Sequence, residues 1–306
     1  MSVETSHNQP ATRQSARENR VLRFLINALR DVRSCRNTSD KLWIGVGTAG
    51  RVLTFAVNAV AQCLLARELL RPYPFLLRDI TVENRDGVFR CRRRTNDHVI
   101  VRPTDEAPLR EVFDQLREGI FVDVGAHVGK YTIMMGRRLG RKGRVIAIEP
   151  EPSNFAALTT NVRLNRLTNV SCFAVACTDS EGPVPLYLAR HASMHSLERG
   201  SGEAITVNGR ALDGVLESLG IDSVALMKID VEGAEGWVLR GAERTLRRSR
   251  DVTVLLEAWS VGPLRYLKSL GFTVSSAAGA APGQPHLGYY IARRTSRQTV
   301  GSDVST

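Results

Sequence analysis

From residue 119 onward the apolar positions of this chain switch between two rhythms. Short runs rich in Val, Ile, Leu and Phe at 119–124, 144–149, 169–176, 223–230 and 252–258 read as strands, and the stretches 129–140, 152–165, 211–219, 234–248 and 263–270 carry the helical period. Two further strands fall near 271–276 and 287–293. Strands alternating with helices predict an α/β domain whose parallel sheet is covered on both faces. Upstream, Phe75–Val82 and Val88–Arg92 flank Asn84-Arg85-Asp86-Gly87 and predict a hairpin, with His98–Arg102 as a further edge strand. Val184–Leu188 and Ile205–Val207 lack helical period and predict an inserted hairpin of the kind that shapes substrate sites. The small residues of Ser275–Gly283 predict a loop.

The first seventy residues follow different patterns. Residues 1–18 are polar and predict a disordered tail, and residues 296–306 form a C-terminal tail. Val21, Leu22, Leu25, Ala28, Leu29 and Val32 share one helical face, while Arg20, Arg23, Arg30 and Arg33 occupy the others, which predicts a basic amphipathic helix. From Leu42 to Leu70 the chain is strongly apolar, but its uncharged run, Val52–Ala66, is 15 residues long. A membrane span needs about 20. Extending the run back to Trp43 reaches that length only by immersing Arg51, so three readings stay open: an interfacial helix, a spanning helix, or a helix packed on protein. The segment lies too far from Met1 for a secretory signal. The expected organisation is therefore a tail, helices over 19–71, and a catalytic domain over 72–295.

Composition narrows the class. Apolar residues form 43 % of 306, close to the globular norm of roughly 45–50 %. Lys and Arg exceed Asp and Glu by 42 to 31, giving +11, and only five of the cations are lysines. That excess suits an anionic surface or a merely solvated one. Aromatics are only 6 % and do not interleave with basic runs, so no nucleic-acid partner is expected. Cys35, Cys63, Cys91, Cys172 and Cys177 are odd in number and lack C-x-x-C spacing, which predicts free thiols and a cytoplasmic location, with membrane association through residues 20–70 kept open.

The most informative segment is Phe121-Val122-Asp123-Val124-Gly125-Ala126-His127-Val128-Gly129, followed by Arg144–Glu149-Pro150. A strand opening through glycines into a helix, then a second strand ending in an acid, begins a nucleotide-binding βαβ unit. Gly125 and Gly129 permit the turn, and Glu149 offers two oxygens to a ribose diol. The spacing Asp-x-Gly-x-x-x-Gly departs from the dinucleotide fingerprint. Asp123 would repel a pyrophosphate but suits a cationic ligand, so the turn favours S-adenosylmethionine over a nicotinamide cofactor.

A second motif, Ala225-Leu226-Met227-Lys228-Ile229-Asp230-Val231-Glu232-Gly233-Ala234-Glu235, places a charged cluster at the end of the fourth strand of the sheet. Together with the cofactor turn, Ile148-Glu149-Pro150, Asn161, Asn165, Ala211-Leu212-Asp213 and Leu255-Leu256-Glu257, it resembles the FkbM family of S-adenosylmethionine-dependent methyltransferases over about residues 98–260. The resemblance implies a class I methyltransferase fold, a Rossmann-like doubly wound sheet with a final antiparallel strand. It also implies methyl transfer to a hydroxyl of a glycan, a lipid-linked sugar or a secondary metabolite. Asp123, Gly125, His127, Gly129 and Glu149 take the cofactor positions, with His127 standing where the family pattern has Asn.

Methyl transfer to a hydroxyl requires alignment and removal of a proton. Asp230 is the first candidate base, oriented by Lys228, with Glu232, Glu257 and His195 as alternatives. His191 and His195 otherwise read as polar loop residues, and Glu232 and Glu235 as ion pairs pinning the turn. No histidine and carboxylate pattern has metal-ligand spacing, so no metal is expected. A nucleic-acid methyltransferase would carry Asn or Asp followed by Pro-Pro and an aromatic where this chain has Lys228-Ile229-Asp230, and a non-catalytic scaffold would have no use for the intact turn.

Overall fold

The computed structural model describes residues 26–65, 76–103, 107–188, 203–258, 260–277 and 288–294, together with Arg23 and Leu197. Both expected tails, the first residues of the amphipathic helix, Ala66–Phe75, His191 and His195 lie outside the described residues. The chain divides into two compact units: residues 1–84 with 90–99, and residues 85–89 with 100–306.

In the first unit, helix α1 (26–34) precedes α2 (Thr38–Leu65). Asn37 caps α2, its Oδ1 accepting from the Asp40 amide at 2.7 Å. Asp40 in turn receives Arg78 Nη2 at 2.6 Å and the Thr81 amide at 2.9 Å, which fixes the rotation of the helix. β1 (Ile80–Asn84) and β2 (Gly87–Cys91) form the expected hairpin. The edge strand expected at His98–Arg102 is not there. Residues 97–100 instead form a helical turn, α3 (Asp97–Ile100), because Asp97 is gripped by Arg92 through Nε at 2.8 Å and Nη2 at 3.0 Å, and Thr95 Oγ1 accepts the Asp97 amide. A carboxylate so tied at an N-terminus favours a turn over extended chain.

The second unit begins with α4 (Ala107–Gln115) and is built on seven strands. β3 (Gly119–Val124), α5 (Lys130–Leu139), β4 (Gly143–Ile148), α6 (Pro152–Leu164) and β5 (Val170–Phe173) wind outward in one direction. A smaller sheet intervenes, of β6 (Ala176–Thr178), β7 (Gly182–Tyr187) and β8 (Ala204–Ala211), in which β7 and β8 pair antiparallel as the inserted hairpin. The run expected as one strand over 169–176 is thus divided, its end leaving the main sheet to pair with β8. α7 (Leu212–Glu217), β9 (Leu226–Ile229), α8 (Glu235–Gly241), α9 (Glu243–Arg248), β10 (Val252–Ala258), α10 (Val261–Ser269), β11 (Thr273–Ser276) and β12 (Gly288–Arg294) complete it. The helix expected over 234–248 is two, because Asp213 starts a new one: its carboxylate accepts the Arg244 and Thr245 amides at 2.9 and 2.8 Å and the Thr245 hydroxyl at 2.6 Å.

The main sheet runs β5-β4-β3-β9-β10-β12-β11, with β12 antiparallel to both its neighbours and all other pairs parallel. This is the doubly wound class I methyltransferase order with an antiparallel last strand. Strand alternation assigns the two faces. Val122, Val124, Met227, Ile229, Val254 and Leu256 join one core, while Phe121, Leu226 and Leu255 join a second with Phe113 and Met135. The topological switch lies between β3 and β9, where ligands of open α/β sheets bind.

Candidate functional site

The same alternation puts Asp123, Lys228, Glu257 and Tyr289 on one face of the sheet, that of Phe121, Leu226 and Leu255. Register then makes them neighbours: Asp123 stands opposite Lys228 across β3 and β9, and Glu257 opposite Tyr289 across β10 and β12. Asp230 follows β9 by one residue. A line of polar groups therefore crosses the carboxyl ends of the parallel strands.

Lys228 organises this line. Its Nζ lies 3.0 Å from Asp230 Oδ2, 3.8 Å from Asp123 Oδ1 and 5.1 Å from the ring centre of Tyr131 on α5. Burial opposes the ammonium, but Asp230 and Asp123 outweigh it and hold Lys228 protonated. Burial would likewise raise Asp230; the adjacent Lys228 and hydrogen bonds from Glu257, Lys228 and Tyr289 overcome it and bring the carboxyl down to about 2. Tyr289 Oη donates to Asp230 Oδ2 at 3.0 Å. Glu257 moves the other way, to about 9, through burial, its hydrogen bond with Asp230 and that neighbour's charge. The pair thus holds one proton, on Glu257.

Glu232 is raised to about 7 by burial and by the charges of Asp230 and Glu235. Its φ of 53° is left-handed, which turns the chain sharply after β9. Glu235 is buried and accepts the Gly233 amide at 2.8 Å, a structural duty that closes the same turn.

The glycine-bearing turn is held by backbone. The Gly125 and Ala126 amides donate to the Ile148 carbonyl at 3.0 and 2.9 Å. Gly125 has φ 77° and Gly129 φ 90°, and a Cβ at Gly129 would press on Leu158 at 2.8 Å. His127 takes φ 51°, a region where Asn is also tolerated, so the exchange of Asn for His keeps the backbone shape. Its amide donates to Glu149 Oε2 at 2.8 Å, and the Glu151 amide to Oε1 at 3.0 Å. Burial raises the Glu149 carboxyl to about 7 against those hydrogen bonds.

These groups enclose a cavity of about 300 Å³ walled by Gly125, His127, Glu149, Asp230, Glu232 and Glu257, among others. That size suits a small-molecule site. Cys177 also faces it, with its thiol pushed up to about 12 by burial, which leaves it a small apolar wall group. Among the described residues Asp230, Glu232 and Glu257 each bring an oxygen within 4.8 Å of the others, a spacing a cation would accept, but Lys228 already supplies the positive charge there.

The sequence-derived candidates divide accordingly. Gly125, His127, Glu149, Lys228, Asp230, Glu232 and Glu257 meet at the cavity. Asp123 is fully buried, its Oδ2 accepting from Thr132 at 2.6 Å, and serves Lys228; burial raises its carboxyl. Gly129 opens α5. Asn161 Nδ2 holds the Val128 carbonyl at 2.8 Å, and Asn165 exchanges two hydrogen bonds with Val88, so these motif residues are architectural. Tyr289, Tyr131 and Thr132 were not singled out by sequence. Each lies in an expected element, but only the register of β12 and the first turn of α5 bring them to the charged line.

Residues 123–272 match the family model described as the Methyltransferase FkbM domain. A curated relative, Methyltransferase sdnD of Sordaria araneosa, is 27 % identical over 203 residues, which is 53 % of this chain and 77 % of that protein. Among solved structures, the FkbM methyltransferase of Methylobacillus flagellatus KT is 18 % identical with a TM-score of 0.43, covering 59 % of this chain and 45 % of that one. The chain thus spans less than half the length of that structure. A SAM-dependent O-methyltransferase of Thermotoga maritima is 13 % identical with a TM-score of 0.37, covering 64 % and 66 %.

Proposed function

We propose, from the chain's membership of the FkbM methyltransferase family through residues 123–272, that it moves a methyl group from S-adenosylmethionine to a hydroxyl of a glycan, lipid-linked sugar or secondary metabolite. The observation that carries the reading is Glu149. It stands at the end of β4 beside the switch point, with both carboxylate oxygens aimed by backbone amides and its side chain in the cavity wall. The Asn154 side chain adds a third hydrogen bond to this carboxylate, which keeps acceptor capacity for a further one from a ribose hydroxyl. Gly125 leaves the turn beside it free of side-chain bulk.

Bound there, S-adenosylmethionine supplies an electrophilic methyl group on a sulfonium. The chain's own residues then have three tasks. Glu149 fixes the ribose. Asp230, ionised and clamped by Lys228 and Tyr289, is a poor base but a rigid acceptor that orients the substrate through a hydroxyl next to the reacting one. Glu232, near neutrality and in the cavity wall, would take the hydroxyl proton as the oxygen–carbon bond forms and the carbon–sulfur bond breaks to leave a neutral thioether. Glu257 stays protonated and prevents a third adjacent negative charge. Calorimetric titration with S-adenosylmethionine, followed by a mass-shift screen of hydroxylated glycans and lipid-linked sugars, tests the reading. A folded protein that takes up no S-adenosylmethionine would overturn it.

A further inference from the structure

In the first unit α2 buries a polar and an apolar anchor on its inner side and leaves an apolar stripe on its outer one. Asp40, on α2, is 4 % exposed and bound to Arg78 and Thr81, so this acid points inward. Ile44 shares the inner side at 2 % exposure. The opposite side carries Leu42, Val46, Ala49 and Leu53, spaced i, i+4, i+7 and i+11, which is a single helical stripe. Leu42 and Leu53 are each 65 % exposed and Val46 44 %. A continuous apolar stripe on a water-facing helix is costly and marks a contact surface.

Charge identifies the contact. Residues 23–58 contain two acids, Asp31 and Asp40, and both are buried. Their basic residues are Arg23, Arg30, Arg33, Arg36, Lys41 and Arg51, and all but Arg51 are exposed. On α1, with Arg23 three residues ahead of it, Arg23, Ile26, Leu29, Arg30 and Arg33 fall on one side at helical spacing and are exposed. The outward surface of these helices is therefore apolar and cationic, with every acid turned inward. Apolar burial and attraction to anionic headgroups act together on such a surface. Among the described residues no helix is long and apolar enough to cross a membrane, which leaves a helix lying on the lipid.

We infer that the exposed faces of α1 and α2 dock the protein on an anionic lipid surface, with Leu42, Val46 and Leu53 entering the acyl boundary and the arginines of α1 meeting headgroups. Such docking would concentrate the enzyme where lipid-linked acceptors are found, but it stands apart from the assignment of the methyl acceptor. The test is flotation of the full-length chain with phosphatidylcholine vesicles, with and without phosphatidylglycerol. Binding is expected only with phosphatidylglycerol, and salt well above physiological strength should weaken it by on the order of tenfold. Leu42→Glu with Leu53→Glu should abolish flotation at an unchanged thermal midpoint, since both side chains are in solvent. Arg23→Gln with Arg30→Gln and Arg33→Gln should weaken it by at least about tenfold. Equal flotation of wild type and the leucine variant overturns the inference, as does equal binding to both vesicle types. A wild-type dimer by light scattering that the leucine variant converts to a monomer also overturns it, because a second copy would then own the stripe.

Discussion

Gly125 approaches the backbone carbonyl of Asp230 so closely that a Cβ on the glycine would fall far inside the contact distance to that oxygen. The cofactor turn and the Lys228-Ile229-Asp230 motif are thereby locked at one place, and the Asp230 amide donates to the Val124 carbonyl at 3.1 Å to complete the lock. Gly125→Ala meets both this clash and a left-handed φ of 77°. It should destabilise the protein by about 2–4 kcal/mol in urea unfolding, combining overpacking with backbone strain.

Glu149→Ala should weaken S-adenosylmethionine binding by about 1.5–3 kcal/mol, the range for hydrogen bonds to a charged group, with circular dichroism unchanged. The pH dependence has a definite sign. The carboxylate form accepts ribose hydroxyls, and the free side chain is raised to about 7, so affinity should rise as pH increases through that value. Calorimetry across the range should show this rise in wild type and a shallower one in the alanine variant, where Glu232 still titrates.

Glu232→Gln should reduce turnover by on the order of 10²–10⁴ while leaving cofactor affinity within a few fold. Wild-type turnover should rise with pH through about 7, as Glu232 ionises, and the variant should lose that limb. A glutamine variant with normal turnover and an intact limb would remove Glu232 as the base.

Lys228→Met leaves Asp123 without its buried counter-charge, and a destabilisation of roughly 3–5 kcal/mol follows for a broken buried pair. Adding Asp123→Asn should recover part of it, because the pair is then removed together. Urea midpoints of the two single variants and the double variant measure the coupling.

Because Lys228 neutralises the carboxylate group, turnover should survive extensive dialysis against a chelator. Strict loss of activity, restored by a divalent cation, would make the Asp230, Glu232 and Glu257 oxygens a metal site instead.

Much of the fold was legible before the structure. Strands 119–124 and 252–258 appear at their expected limits, because a buried strand between turn residues has a strong local signature. His98–Arg102 reads as a strand but begins with a helical turn, since the grip of Arg92 on Asp97 is a side-chain contact that no periodicity encodes. The division of 234–248 into two helices has the same origin, its cause being Asp213, some thirty residues away in sequence.

The site shows the same boundary. The sequence placed Glu149 and Asp230 at strand ends and fixed, through period two, which face each strand residue takes. Neighbourhood was decided by tertiary pairing: the register of β3 with β9 joins Asp123 to Lys228, and that of β10 with β12 brings Tyr289 beside Glu257. Protonation was decided there too. Asp230 and Glu257 are both ordinary carboxylic acids in sequence, and they separate to about 2 and about 9 because one faces the Lys228 ammonium and the other is buried beside Asp230. Charge interactions depend on distance and burial, quantities that exist only once remote strands have paired.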